Sequence, residues 1–447
     1  MIERRVPRTE VTELVTPSTI TGLQKSPLMY GTGVLAINIL LESFSAYAYY
    51  FYIEVLGLAM TMAAVVKMVY AIWNSTNDPI FGYLSDNTRS RWGRRHVWLV
   101  PSMLLAAVVY VLVFSVPTWV RGSAPLFWYM LAILLLFETL TTILIVNYVA
   151  LFPEYFHGLH ERSSASVYYQ AGKIIAVLIG LTLTPLVYRA IGFTGMAITY
   201  ASLAVAGLTL ALFVNREDPQ IQTACRTAFL PAFKQVLRDR AFWKFAITIT
   251  LITFGVSMVP FTLPFYVKYA LRVGPEFTSI LSAGALVTCF IVLPLWGKLV
   301  RQLQMRVTFS LVILIMALGT IMISLRPSTG LAIAAIAVIG VAWGGIYVCN
   351  IIIRADLVSQ HLVHTGQHTE ALYYALLNVV QNMGGILQSI AMLLASLLFG
   401  YVSGEDPGPQ PDMAFRFLMG FAPLGVLAVS SYFVNSFFKN YPEKVAA

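Results

Sequence analysis

Runs of some twenty apolar residues alternate with short polar connectors along almost the whole chain. About 20 residues in a helix span the hydrocarbon of a bilayer, so each run predicts a membrane-crossing helix. The runs fall at about 30–53, 60–84, 97–117, 126–152, 166–188 and 195–214, then 243–267, 277–297, 307–325, 330–353, 371–400 and 414–437. They divide six and six around residues 215–242, NREDPQIQTACRTAFLPAFKQVLRDRAF, whose end has an amphipathic pattern. The predicted fold class is an all-α membrane protein of twelve transmembrane helices in two pseudo-symmetric six-helix bundles. Its expected parts are a tail at 1–29, a first bundle at 30–214, a linker at 215–242, a second bundle at 243–437 and a tail at 438–447.

Composition agrees with this pattern. Of the 447 residues 58% are hydrophobic and 11% charged, where a soluble domain carries about 25% charge. The net charge of +9 does not point to nucleic acid, because Lys and Arg punctuate the apolar runs instead of gathering on one face. The outer connectors hold five of the 29 basic residues and the inner segments most of the rest, which predicts that both termini are cytoplasmic. The N-terminal tail lacks the apolar core of a signal peptide, so insertion is expected to rely on the first helix. Cys225, Cys289 and Cys349 are too few and scattered for a disulfide framework or a zinc site.

The loop after the second run reads Gly82-Tyr83-Leu84-Ser85-Asp86-Asn87-Thr88-Arg89-Ser90-Arg91-Trp92-Gly93-Arg94-Arg95. A glycine permits close helix approach, and an aspartate at a helix end can pair with arginines or with a neighbouring helix dipole. Such a cluster suits a latch. It resembles the inner-loop signature of the major facilitator superfamily. With Asn77-Asp78-Pro79-Ile80-Phe81-Gly82 before it, the stretch is similar to the glycoside–pentoside–hexuronide:cation symporters, the melibiose permease group. Ala150-Leu151-Phe152-Pro153-Glu154 with Glu161-Arg162, and Ala355-Asp356 with Thr365-Gly366 and Glu370-Ala371-Leu372-Tyr373-Tyr374, match two further family loops. Internal echoes fit a duplicated six-helix unit: Pro79-Ile80-Phe81-Gly82 against Pro294-Leu295-Trp296-Gly297, and Ala150, Tyr168, Tyr169 and Gly180 against Ala355, Tyr373, Tyr374 and Gly385.

The resemblance implies a secondary transporter in the inner membrane, working by alternating access on a solute held near the midplane between the halves. It implies a cytoplasmic gate of Gly82, Asp86, Arg89, Arg91, Arg94, Arg95, Glu154, Arg162, Arg354 and Asp356. An enzyme would need a catalytic constellation at helix depth, and none is present. The expected partners are a small solute, a sugar or glycoside, and the lipid bilayer; no nucleic acid, cofactor or metal is expected, and the chain is expected to act as a monomer.

Charged residues at bilayer depth are functional candidates by default. Asp78 matches a family aspartate used for coupling, and Glu42 and Glu138 join it as candidates for a cation site or for interhelical hydrogen bonds. Against melibiose-type members, Asn38, Asn74 and Ile145 stand where aspartates are expected, Gln170 where an arginine is, and Met383 where a lysine is. Sodium needs several oxygen ligands, whereas one protonatable carboxylate suffices for a proton. Proton coupling is therefore favoured over sodium, with uniport as the alternative. Lys67 and Lys173 are expected to snorkel to an interface, Lys173 alternatively pairing with a carboxylate.

Polar groups for a solute are Asn38, Asn74, Gln170, Asn350, Asn378, Gln381 and Asn382, and candidate stacking rings are Tyr47, Tyr50, Trp73 and Trp343. A sugar, another polyol or a lipid-like amphiphile would be compatible. His361, His364 and His368 have a tempting spacing but lie in a connector, and like His157 and His160 they are expected to be solvated or part of the gate.

Overall fold

The computed structural model describes residues 25–439, apart from 89, 91–92, 121, 157–158, 216–235, 326–327, 366–369 and 404–405. Twelve long helices follow one another, with no strand among the described residues. In chain order they are α1 (Pro27–Val55), α2 (Met60–Asp86), α3 (His96–Phe114), α4 (Ser123–Tyr155), α5 (159–191) and α6 (193–214). The second half has α7 (Arg240–Leu271), α8 (Glu276–Gln302), α9 (Met305–Ser324), α10 (Thr329–Thr365), α11 (370–399) and α12 (Pro411–Phe438).

Local chemistry sets several of these limits. Ser26 caps α1, its Oγ accepting from the Met29 N–H at 3.4 Å, and Pro27 takes a first-turn position whose missing N–H costs nothing. Gly192, at φ 74° and ψ 167°, breaks the chain between α5 and α6, in a backbone region that only glycine occupies freely. Ten stretches are long and apolar enough to cross a membrane, one of which, Glu161–Val214, holds both α5 and α6. The remaining helix, α2, is diluted by Lys67, Asn74, Asn77 and Asp78.

Within the first half α1 packs on α5 and α6, and α2 and α3 pack on α4. The second half repeats this with α10 against α8 and α9 and α12 against α7 and α9. Two hydrophobic cores result. One is built mainly from α1–α6 and also takes in Phe254, Phe261, Phe265, Met392 and Phe415; the other lies in the second half. Contact between halves runs through α2 with α11, α1 with α7, and α5 with α8.

Among the described residues four helices contain a π turn, at Phe51–Val55, Leu178–Leu183, Val267–Leu271 and Phe417–Phe421. Such turns interrupt the regular hydrogen-bond ladder and often accompany functional sites. The offset that aligns Gly180 with Gly385 also aligns the π turn beginning at Leu178 with the break of α11 at Met383. The internal duplication therefore extends to where the helices bend.

Candidate functional site

On α2, Lys67, Tyr70, Asn74 and Asp78 follow at i, i+3, i+7 and i+11, which puts them along one helical face. That face looks into a cavity of about 400 Å³ between the halves. From α1 come Glu42, Ser45 and Tyr49, from α4 Glu138, Thr141, Thr142 and Ile145, and from α11 Asn378 and Asn382. Pro79 follows Asp78 and has no N–H, so the Ser75 carbonyl loses its helical donor beside the cavity.

The carboxylates are held by neutral donors. Glu138, 6% exposed, accepts from the Tyr70 hydroxyl and, at 3.4 Å, from Thr142. Thr142 lies close to Asp78 as well, so one threonine stands between the acids of α2 and α4. Trp73 donates to Thr139 at 2.9 Å and further ties α2 to α4. Glu42 lies within electrostatic reach of Lys173 on α5 without forming an ion pair. The Asn77 amide is fully buried next to Asp78, with neither its oxygen nor its nitrogen hydrogen-bonded.

Lys67 does not reach for an interface. Its Nζ lies 4.4 Å from the Tyr49 ring centroid and 4.3 Å from that of Phe261 on α7, and its side chain lines the cavity. Asn74 accepts from Asn382 at 2.8 Å, a direct bond between halves at mid-helix.

The other solute candidates lie outside the cavity lining, except Asn378, which lines it while its amide oxygen meets an arginine. Asn38 donates to the Val34 carbonyl of its own helix at 2.8 Å, and Gln170 is exposed outside the cavity lining. Asn350 (2.8 Å), Asn378 (3.1 Å) and Gln381 turn their amide oxygens to the Arg354 guanidinium, so three of the expected solute ligands cradle an arginine. Trp343 is buried in the second core with its indole N–H unpaired, Tyr47 donates to the Leu181 carbonyl at 2.7 Å, and the Tyr50 ring meets Phe265.

At the loop end of α2, Glu154 accepts from Arg94 at 2.6 Å and lies 3.5 Å from Arg95, which also reaches Ser85 at 3.2 Å. Arg162 donates to the Phe156 carbonyl at 2.9 Å. These ties join neighbours of the first half. At Gly82 a methyl would meet only Val146 of α4, at 3.7 Å, so α2 and α4 are not in their tightest approach there. Asp86 is the last residue of α2 and Asp356 lies on α10 one half-turn beyond Arg354. Arg89 and Arg91, the side chains of His157, His160, His361, His364 and His368, Cys225 and most of the 215–242 linker lie outside the described residues.

The opposite end holds a cluster the sequence reading missed. Glu54, with a side chain 1% exposed, accepts from Tyr269 at 2.6 Å, from Tyr401 and from the Lys268 ammonium. Glu54 sits in the α1 π turn, Lys268 and Tyr269 in the α7 π turn, and Tyr401 just beyond α11. An ion pair between Arg189 and Glu276 joins the halves at the same end. A signal existed in the sequence: Glu54, Lys268 and Glu276 are charges flanking apolar runs on the side where charge is scarce.

Two six-helix halves thus enclose a polar cavity and are pinned together at one end. The chain belongs to the MFS/sugar transport protein family, whose profile matches residues 29–439. An uncharacterized symporter, sll1374, of Synechocystis sp. is 29% identical over 217 residues, 46% of this chain and 40% of that protein. The sodium-dependent lysophosphatidylcholine symporter 1-B of Danio rerio is 30% identical over 162 residues, 36% of this chain and 30% of that protein. The aligned stretches thus span less than half of each relative. The crystal structure of the nucleoside transporter NupG superposes with a TM-score of 0.65 at 12% identity, covering 93% of this chain and 99% of that one, a likeness of fold.

Proposed function

We propose that this protein is a cation-coupled symporter, driven by protons in preference to sodium, that carries a small polyhydroxylated solute such as a sugar or glycoside. The observation that carries the reading is the Asp78–Thr142–Glu138 arrangement on the cavity wall. Two acids on facing helices flank one threonine, whose hydroxyl Glu138 accepts at 3.4 Å, and neither has a cation at ion-pair distance among the described residues. One site able to take a proton on either carboxylate needs no further ligands, whereas a sodium ion would compete with Tyr70 for the oxygens of Glu138.

Asn74, Asn378 and Asn382 supply amides for solute hydroxyls, and Tyr49 and Tyr70 supply ring faces. The Arg94 end is assigned to the cytoplasm from the bias of basic residues, with both termini on that side. The described conformation is then inward-facing, its outer end held by Glu54 and by Arg189–Glu276. Arg94, Arg95 and Glu154 act as the inner gate when the halves rock.

A second reading, a lipid-like amphiphile as solute, is favoured by the similarity to a lysophosphatidylcholine symporter. Uptake of labelled glycosides and lysophospholipids into proteoliposomes under imposed proton or sodium gradients separates the two. Proton-driven accumulation that Asp78→Asn abolishes is the expected outcome. Sodium-driven accumulation would replace the ion, and equilibration indifferent to Asp78→Asn would mean uniport.

A further inference from the structure

We propose that Lys67 is the docking point for an anionic group, a carboxylate or a phosphate, on the solute that enters the cavity. This rests on the reading of the cavity as the solute site. A lysine at bilayer depth ordinarily faces a carboxylate or reaches for the interface. Lys67 does neither. No carboxylate lies within ion-pair distance among the described residues, and its ammonium is flanked by the faces of Tyr49 and Phe261.

Two ring faces compensate a cation only in part and carry no hydrogen-bond acceptors for its N–H donors. The three cavity acids do not close the gap. Glu138 is taken up by Tyr70 and Thr142, Asp78 lies further along α2 beside Thr142, and Glu42 lies in the field of Lys173. The donors of Lys67 are thus left for something that enters.

Its register fits that role. Lys67 begins the α2 stripe at the Glu54 end, and Tyr70, Asn74 and Asp78 descend from it over about 16 Å at 1.5 Å per residue. A solute with its anion on Lys67 would lay its body along Tyr70 and the Asn74–Asn382 pair, leaving the acids Asp78 and Glu138 to the coupling ion. Neutralising those acids with a bound cation removes negative charge from the wall the anion must approach. Each ligand then favours the other, which is the reciprocal coupling symport requires. Because Phe261 belongs to the second half, an anion on Lys67 also sits where the halves meet at the closed end.

The test uses matched ligand pairs on the purified full-length protein. One pair is an alkyl glucoside with the corresponding alkyl glucuronide. The other is a monoacylglycerol with the lysophosphatidic acid of the same chain. Equilibrium binding to the parent, Lys67→Gln and Lys67→Arg is measured, with uptake into proteoliposomes alongside. In at least one pair the parent is expected to bind the anionic member about tenfold or more tighter than its neutral twin, the scale of a charged hydrogen bond. Lys67→Gln should erase that preference and leave the neutral twin within about twofold, and Lys67→Arg should restore part of it. Which pair responds tells a sugar carboxylate from a lipid phosphate.

A preference that survives Lys67→Gln, or parent protein with no anionic preference in either pair, overturns the proposal. Lys67-dependent anion binding without uptake would uphold this site and count against transport. Uptake of a neutral twin unaffected by Lys67→Gln, without anion preference, would do the reverse. If Lys67→Gln fails to fold, Lys67→Arg decides: a stable arginine variant without anionic preference overturns the proposal.

Discussion

Glu138 shows how a carboxylate is kept at helix depth without a cation beside it. Tyr70, three residues along α2 from Lys67, gives its hydroxyl to one oxygen, while Thr142 reaches the other at the longer distance of 3.4 Å. Losing a donor to a buried charged acceptor costs about 1–3 kcal/mol. Tyr70→Phe is therefore expected to lower the melting temperature in detergent and to weaken gradient-driven uptake. Thr142→Val should disturb folding less, because its contact with Glu138 is longer, yet should affect coupling, because the same side chain stands between Glu138 and Asp78. Equal melting of Tyr70→Phe and parent would mean that the tyrosine merely fills space. Asp78 and Glu138 were legible as charges interrupting apolar runs. Lys67 was visible as well, but its direction was not: two turns inside a helix end, its stem could reach either an interface or the interior. Only the face that α2 turns to the cavity decides between them, and periodicity alone does not assign that face to a neighbour.

Among the helices, α1 and α5 pack closely beside the site. An added methyl at Gly180, in the π turn of α5, would overlap Cβ of Glu42 and lie 2.9 Å from the Ser43 nitrogen. A side chain there must push the helices apart, and overpacking of that kind costs about 1–3 kcal/mol. Gly180→Val should lower the melting temperature and reduce folded yield on size-exclusion chromatography. Gly82→Ala provides the contrast. Although Gly82 belongs to the signature stretch, it lies within α2, where a methyl meets only Val146 at 3.7 Å and alanine is the better helix former. Its melting temperature should equal or slightly exceed that of the parent; a large drop would show that the spacing at Gly82 matters in another conformation. The helices themselves were largely legible because a span needs a long apolar run, and the runs match α1–α12 to within a few residues at most ends. The extra turns of α10, which continue to Thr365, were not, because a polar stretch reads alike as loop or as solvated helix. The π turns left no sequence mark either: they arise from packing between helices, not from composition.

For the molecule as a whole, the question is what holds the two halves closed at the Glu54 end while the cavity lies below. Glu54 gathers Lys268, Tyr269 and Tyr401 from the second half onto one almost fully buried carboxylate. The Arg189–Glu276 pair at the same end is far more exposed, with side chains 59% and 43% accessible, and such pairs contribute little. The equilibrium between closed and open forms should therefore respond strongly to Glu54 and weakly to Arg189. Removing a carboxylate that accepts several hydrogen bonds costs the closed form about 1.5–3 kcal/mol, which corresponds to roughly a 10- to 100-fold change in the ratio of conformers. The measurement is alkylation of a single cysteine at Asn378 on the cavity wall, with the three native cysteines replaced, by a membrane-impermeant maleimide applied from each side of oriented vesicles. Without further change, labelling should come from the Arg94 side. Glu54→Ala should bring labelling from the Glu54 side, whereas Arg189→Ala should leave the pattern nearly as it was. Glu54→Gln should fall between, since an amide oxygen still accepts from the tyrosines but no longer offsets the Lys268 charge. If Glu54→Ala labels like the parent, the closed end is held by its aromatic packing of Tyr269, Tyr401, Phe265 and Phe415, and the carboxylate only completes that layer.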